Sequence, residues 1–260
     1  MSRGPSRVLA TLAGLAVIAG LVGCTPAPPH DAAIAVTRAT PTASGAPRPV
    51  LEPGAVLATG ELTSADGKTS GHMVVTARDD GNFDVTMSDL RTSITGYLEL
   101  GLSAVPLTSK VACRASTFYI SFGSVPTSLT QTFLLTGVDN LIRGDPSFLH
   151  SVLLVQVAPD PANPNCAESA AAAATLTWTM PDMRPGLRPV DSGSQKAATG
   201  AVTTVDGAPA SYAVAPYDVM ASIAERFGIT VDDLFYLNPT LLPGQKAVAG
   251  ETLNLSKKLR

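Results

Sequence analysis

Charge, aromatic rings, histidine and cysteine are all scarce in this chain. Charged residues make up 15% and aromatics 5%, with three histidines and three cysteines. Acidic residues outnumber basic ones, 21 to 18, for a net charge of −3. That balance argues against a nucleic-acid binder, which needs a basic face. His30, His72 and His150 stand at no metal-ligand spacing, which argues against a zinc peptidase and leaves no metal site expected. Gly-x-Ser-x-Gly and Ser-x-x-Lys are both missing, so serine acyl transfer has no motif. Glycan cleavage needs two carboxylates in one cleft. Glu61 and Glu99 are candidates only by default, and solvated strand positions explain them better. No catalytic residue is therefore expected. Asp80-x-Asn82-x-Asp84 starts like a calcium loop, but Arg91 stands where the closing Glu belongs, so a hairpin turn explains it better.

What the chain does have is 22 glycines, 21 prolines and many small apolar residues over 260 positions, enough for one or two domains with irregular stretches. The longest uncharged apolar run is Val8–Val22, too short for a comfortable membrane span. Arg3 and Arg7 precede it and Leu21-Val22-Gly23-Cys24 closes it. The segment resembles the signal of bacterial lipoproteins: a positive start, an apolar core, a small residue, then cysteine. The resemblance implies cleavage of residues 1–23 and a diacylglycerol and acyl lipid on Cys24. No other cofactor is expected. It places the mature chain on the extracytoplasmic face of a bacterial cell membrane, in an oxidising compartment.

Residues 24–53 hold seven prolines and no apolar periodicity, and read as a disordered tether. Residues 54–180 read as an all-β sandwich or barrel-like domain. Phe83, Val85 and Met87 alternate with polar residues, as do Leu98, Leu100 and Leu102, and Phe118, Ile120 and Phe122 share a third face. Asp79-Asp80-Gly81 supplies a hairpin turn. Further strands are expected at 130–136, 148–157 and 175–180. The run Ala170–Ala174 has helical propensity. Trp178 alternates with Leu176 and Met180 and reads as core. With Cys24 lipidated, Cys113 and Cys166 remain as a pair; a disulfide is expected, worth about 4 kcal/mol, with a reactive thiol as the alternative. Gly60–Ala104 also resembles a small all-β module of redox association (the DM-13 domain), in its Gly-x-Leu, Gly71-x-Met-Val-Val and Val-x-Met-x-Asp-Leu spacing, though without a redox cysteine.

Residues 181–209, with four prolines, read as a second linker with room for a strand at 201–205. The composition then changes. Tyr212-Ala213-Val214 reads as a strand. Asp218 is expected to cap a helix through Val219, Ile223 and Phe227, with Gly228 as its stop. Thr230 caps a second helix with Asp233 at the capping-box position and an Ile229–Leu234 staple. Thr252–Leu255 closes with a strand. The ordered set Tyr212-x-Val214, Pro216-x-Asp218, Ser222-Ile223-Ala224-x-x-Phe227-Gly228, Leu234-x-x-Leu237-Asn238-Pro239 and Gly250-Glu251-Thr252-Leu253-x-Leu255 is similar to the LysM domain. The expected fold class is thus α+β and multidomain, with the β domain followed by a small βααβ module over 210–258.

The resemblance implies binding of N-acetylglucosamine-containing glycan, peptidoglycan above all. It places the sugar between Ala215, Pro216, Tyr217, Asp218 and Val219 on one loop and Leu237, Asn238, Pro239, Thr240 and Leu241 on the other. Asp218 reads as a helix cap before a sugar ligand. Tyr217 stands where the family has glycine, and the loop from Asn238 to Ala249 is longer than usual. The expected function is a lipid-anchored envelope protein that holds peptidoglycan and presents its β domain at the wall. A wall hydrolase targeted by the module, or an adaptor for another envelope protein, are the alternatives.

Overall fold

The computed structural model describes residues 47–107, 118–125, 130–137, 141–156 and 169–260. Cys24, Cys113 and Cys166 lie outside these residues, and with them the expected lipid attachment and disulfide. Among the described residues no helix is long and apolar enough to cross a membrane.

The first strands follow the period-two pattern of the sequence. They are β1 (Val56–Thr63), β2 (Ser70–Ala77), β3 (Phe83–Arg91), β4 (Leu98–Ser103), β5 (Tyr119–Ser124) and β6 (Thr130–Leu135). After them come β7 (Ser151–Gln156), β8 (Ser169–Thr175) and the short β9 (Thr177–Trp178). Met73 and Val75 on β2, Phe83, Val85 and Met87 on β3, and Leu98, Leu100 and Leu102 on β4 are all buried in one core. Gly81, at φ 78°, turns β2 into β3. The strands join in the order β5-β4-β7-β8-β1-β2-β3-β6, with β9 also on β1. The end strands β5 and β6 meet through the stacked rings of Phe122 and Phe133, 5.4 Å apart. The protein is therefore mostly β, built on a nearly closed, barrel-like sheet.

Ala170–Ala174 is strand, not helix. Leu154 pairs with Ala172 across the β7–β8 ladder, and Ala172 and Ala174 face the main core. Helix propensity favours alanine by well under 1 kcal/mol per residue over most alternatives. A ladder position between two packed layers outweighs it. β7 is buried along nearly its whole length because Leu153 and Val155, on its other face, pack with Leu107 and Ala173 in a second small cluster. Trp178 packs on the main core as expected, and its indole donates to the Leu149 carbonyl at 2.8 Å.

The C-terminal part is built from β10 (Ala201–Val205), β11 (Ala208–Ala213), α1 (Met220–Arg226), α2 (Val231–Leu237) and β12 (Thr252–Asn254). The three strands form a sheet in the order β10-β11-β12. Tyr212, Ile223, Phe227, Leu234 and Leu253 are fully buried between sheet and helices. Gly228, at φ 63°, ends α1: its amide donates to Glu225 and the next amide, of Ile229, to Ala224. The Thr230–Asp233 capping box is formed at the start of α2.

The 181–209 stretch is not a free linker. Leu187 and Ala198 belong to the C-terminal core. Val190 and Ser192 donate their amides to the last carbonyls of α1, at Phe227 and Arg226. Arg226 holds Asp191 through both carboxylate oxygens (2.7 and 3.0 Å) and donates to the carbonyls of Ala198 and Gly200. Proline and glycine here shape turns that satisfy a helix end, which composition alone does not distinguish from a tether. The end of the expected N-terminal tether is also engaged: Leu51 packs on the barrel core and the Glu52 carbonyl accepts from the Ala55 amide.

Candidate functional site

The loop between β11 and α1 carries Ala215, Pro216, Tyr217, Asp218 and Val219, and Asp218 fixes its shape. Its carboxylate accepts from the amides of Thr199 (2.8 Å), Gly200 (3.2 Å) and Ala215 (2.8 Å), from the Thr199 hydroxyl (3.2 Å) and from the Tyr212 phenol (2.5 Å). Burial raises the Asp218 pKa, but the bonds from Tyr212, Thr199 and Ala215 outweigh it and hold the carboxyl below its ordinary range. Tyr212 is pushed up to about 12 by burial and by its bond to Asp218. A side chain at position 200 would collide with the Ala213 carbonyl and the Tyr212 ring, so only glycine lets that phenol reach the backbone.

Asp218 therefore does not cap α1 and offers nothing to a sugar. The N-cap is Val219, with extended backbone and no side-chain cap bond. Its amide donates to Ala197 at 2.9 Å instead. The partners in the 197–200 stretch were hidden inside a segment whose composition reads as linker. A lone glycine just before a short β run was the one available signal.

The knot at Asp218 leaves its neighbours turned outward. Tyr217 is held at φ 69°, a left-handed conformation that costs a non-glycine residue on the order of 1 kcal/mol or more. Its side chain is 94% exposed. Val219 is half-exposed and Pro216 exposed, while Ala215 is half-buried.

The second loop divides differently. Leu237, Asn238 and Pro239 are buried. Asn238 donates to the carbonyls of Leu234 (2.8 Å) and Asn254 (2.9 Å) and accepts from the Asn254 amide (2.7 Å). It fastens the end of α2 to β12 and is not free for a ligand. Thr240 is exposed and Leu241 half-buried, and beyond them Leu242 and Val248 are exposed apolar side chains. This loop runs into Gly250, whose amide donates to Val214 at 2.9 Å and so brings its end beside Ala215. Of the ten expected sugar-facing residues, Asp218, Leu237, Asn238 and Pro239 are structural. The exposed set is Pro216, Tyr217, Val219 and Thr240, joined by Leu242 and Val248, which lie outside the motif.

Other candidates are engaged elsewhere. Asp80 accepts from the Asn82 amide, Arg78 donates to Asp80 and Asp84, and Asn82 accepts from the Gly137 amide, so the calcium-loop likeness is a bonded hairpin. Glu61 lies 2.6 Å from His72 on the outside of the barrel. Glu61 on β1 and Glu99 on β4 are on strands separated by β8 and β7, so they are not brought together as cross-strand neighbours. Among the described residues no group of three or more His, Cys, Asp or Glu is placed to hold a metal ion. No family model, curated protein or solved structure matches the chain.

Proposed function

We propose that this chain is a lipid-anchored lipoprotein of the bacterial cell envelope that binds the N-acetylglucosamine-containing glycan of peptidoglycan through a C-terminal LysM domain. Its lipid sits on Cys24, at the extracytoplasmic face of the membrane, and the β domain is presented at the wall. The observation that carries this reading is the loop before α1. It breaks local rules twice, with Tyr217 at positive φ and with apolar Val219 at an N-cap that favours Ser, Thr, Asp or Asn. Both side chains point to solvent. Locally unfavourable choices that expose apolar groups are expected where a ligand, and not the fold, sets the residue. An aromatic ring and a branched aliphatic chain suit the apolar face of a sugar and its N-acetyl methyl, while loop amides and carbonyls supply hydrogen bonds.

The test is a split between stability and binding. Tyr217→Gly relieves the left-handed strain and is expected to stabilise the fold by about 1 kcal/mol in urea unfolding. Val219→Ser supplies a cap and is expected to add a similar amount, about 0.5–1 kcal/mol. Each is expected to weaken binding to purified sacculi and to soluble N-acetylglucosamine oligomers by about tenfold. Stabilised variants with unchanged or tighter binding contradict the reading.

A further inference from the structure

A cleft of ≈ 460 Å³ opens between the barrel and α2, within the size range of small-molecule sites. Its walls come from the strap Arg48–Leu51, the β2–β3 turn, the loop at Arg143 and Gly144, and Met183-Arg184, with Asp232 of α2 at the edge. Three guanidinium groups converge on Asp232: Arg184 at 2.6 Å, Arg143 at 3.3 Å and Arg48 at 3.5 Å. Arg184 also binds Asp233 and is only 4% exposed, yet its Nε meets no acceptor. Arg48 is 57% exposed and makes one long contact, and Arg78 uses only Nε and Nη1, on Asp80 and Asp84. Arg48, Arg78 and Arg184 therefore each keep an N–H group with no protein acceptor. Guanidinium forks pair best with planar oxyanions, and Asp232 shows that these converge on a carboxylate.

The remaining wall is apolar. Leu51, Phe83 and Met183 line it, and Gly81 and Gly144 present main chain with no side chain in the way. Asp79 and Asp232 on the rim oppose a multiply charged anion. We infer that this cleft binds the free carboxylate end of a short peptide, with Arg48 on the carboxylate, the buried Arg184 adding its charge from behind, and Leu51, Phe83 and Met183 against its body. The cleft shares no residue with the Tyr217 loop, so this inference does not rest on glycan binding.

Ligand-observed NMR on the full chain tests it with N-acetyl-alanyl-alanine, its C-terminal amide and inorganic phosphate. The acid is expected to bind, with the amide and phosphate each about tenfold weaker or more. Arg48→Ala is expected to weaken the acid about tenfold while leaving the melting temperature unchanged, because Arg48 is exposed and singly bonded. Tyr217→Gly is expected to leave peptide binding unchanged, which separates failure here from failure of the glycan reading. Equal binding of acid and amide, tighter binding of phosphate, no signal up to ~10 mM acid, or an Arg48→Ala variant that binds normally overturns the inference.

Discussion

Asp218 and Tyr217 are neighbours with opposite duties. Asp218 gives up solvent to organise the loop, and Tyr217 gives up backbone comfort to leave it. The lowered pKa of Asp218 has a readable consequence. A carboxyl held below its ordinary value of 3.8 in the fold stabilises the folded state above about pH 4. That contribution is lost as pH falls through the lowered folded value. Asp191 and Asp232 are lowered as well, Asp191 chiefly by its bond from Arg226 and Asp232 by Arg184, Arg143 and Arg48 against the cost of its burial. The C-terminal part is thus expected to lose stability as the pH falls below about 4. Asp218→Asn removes one acceptor oxygen from a buried set of donors and is expected to cost about 2–4 kcal/mol at neutral pH. It is also expected to flatten the acid limb of stability against pH. Urea titrations of both forms between about pH 2 and 7 check this; an acid limb of unchanged steepness contradicts the role given to Asp218.

The elements differ in how openly the sequence declared them. α2 was readable to its cap, because Thr230, Asp233, Ile229 and Leu234 are local signals that act on each other. Thr230→Ala is expected to destabilise by about 1 kcal/mol in thermal or urea unfolding, and Glu at position 233 to preserve the box. The hairpin β2–β3 was equally legible from its alternation and Gly81. β1 was not singled out, since Val56–Thr63 mixes exposed Val56 with small residues and gains its place only from ladders on both sides. β8 misled through local propensity, because five alanines say helix until β7 and β1 supply the hydrogen bonds. Residues 189–200 misled through composition, because their function is to satisfy the end of α1 and the carboxylate of Asp218, groups that lie 18 or more positions away in sequence. Around the candidate site the order strand, helix, helix, strand was legible from the motif. Which side chains face outward was not, because that depends on the long-range bonds of Asp218 and Asn238.

On the scale of the molecule, the described residues fall within one compact unit, and the barrel and the C-terminal part meet in a bonded seam, not through a free linker. Arg260 lies over the rings of Tyr236 (4.1 Å) and Phe148 (5.3 Å) and pairs with Asp145 at 2.8 Å. Tyr236 donates to the same carboxylate at 2.6 Å, and its pKa is pushed up by burial and by that charge. Both Arg260 and Asp145 are nearly fully buried. Arg260→Ala leaves Asp145 without its cation and is expected to cost about 3–5 kcal/mol. The loss is expected to appear as faster hydrogen exchange in both α2 and the Asp145 turn, with exchange in the β2–β3 hairpin little changed. A variant that melts like the parent protein contradicts a coupled seam. The same seam makes truncation a poor probe of function, because deleting residues 211–260 strips the barrel of a buried face.

Binding is therefore best tested by point substitution in the intact chain. The most direct measurement is co-sedimentation of the full protein with purified sacculi, comparing the parent with Tyr217→Gly and with soluble N-acetylglucosamine oligomers as competitor. The parent is expected to sediment with the wall, the oligomers to release it, and Tyr217→Gly, though more stable, to bind about tenfold less. A parent protein that stays in solution, or a Tyr217→Gly form that binds as well or better, contradicts glycan binding through this loop.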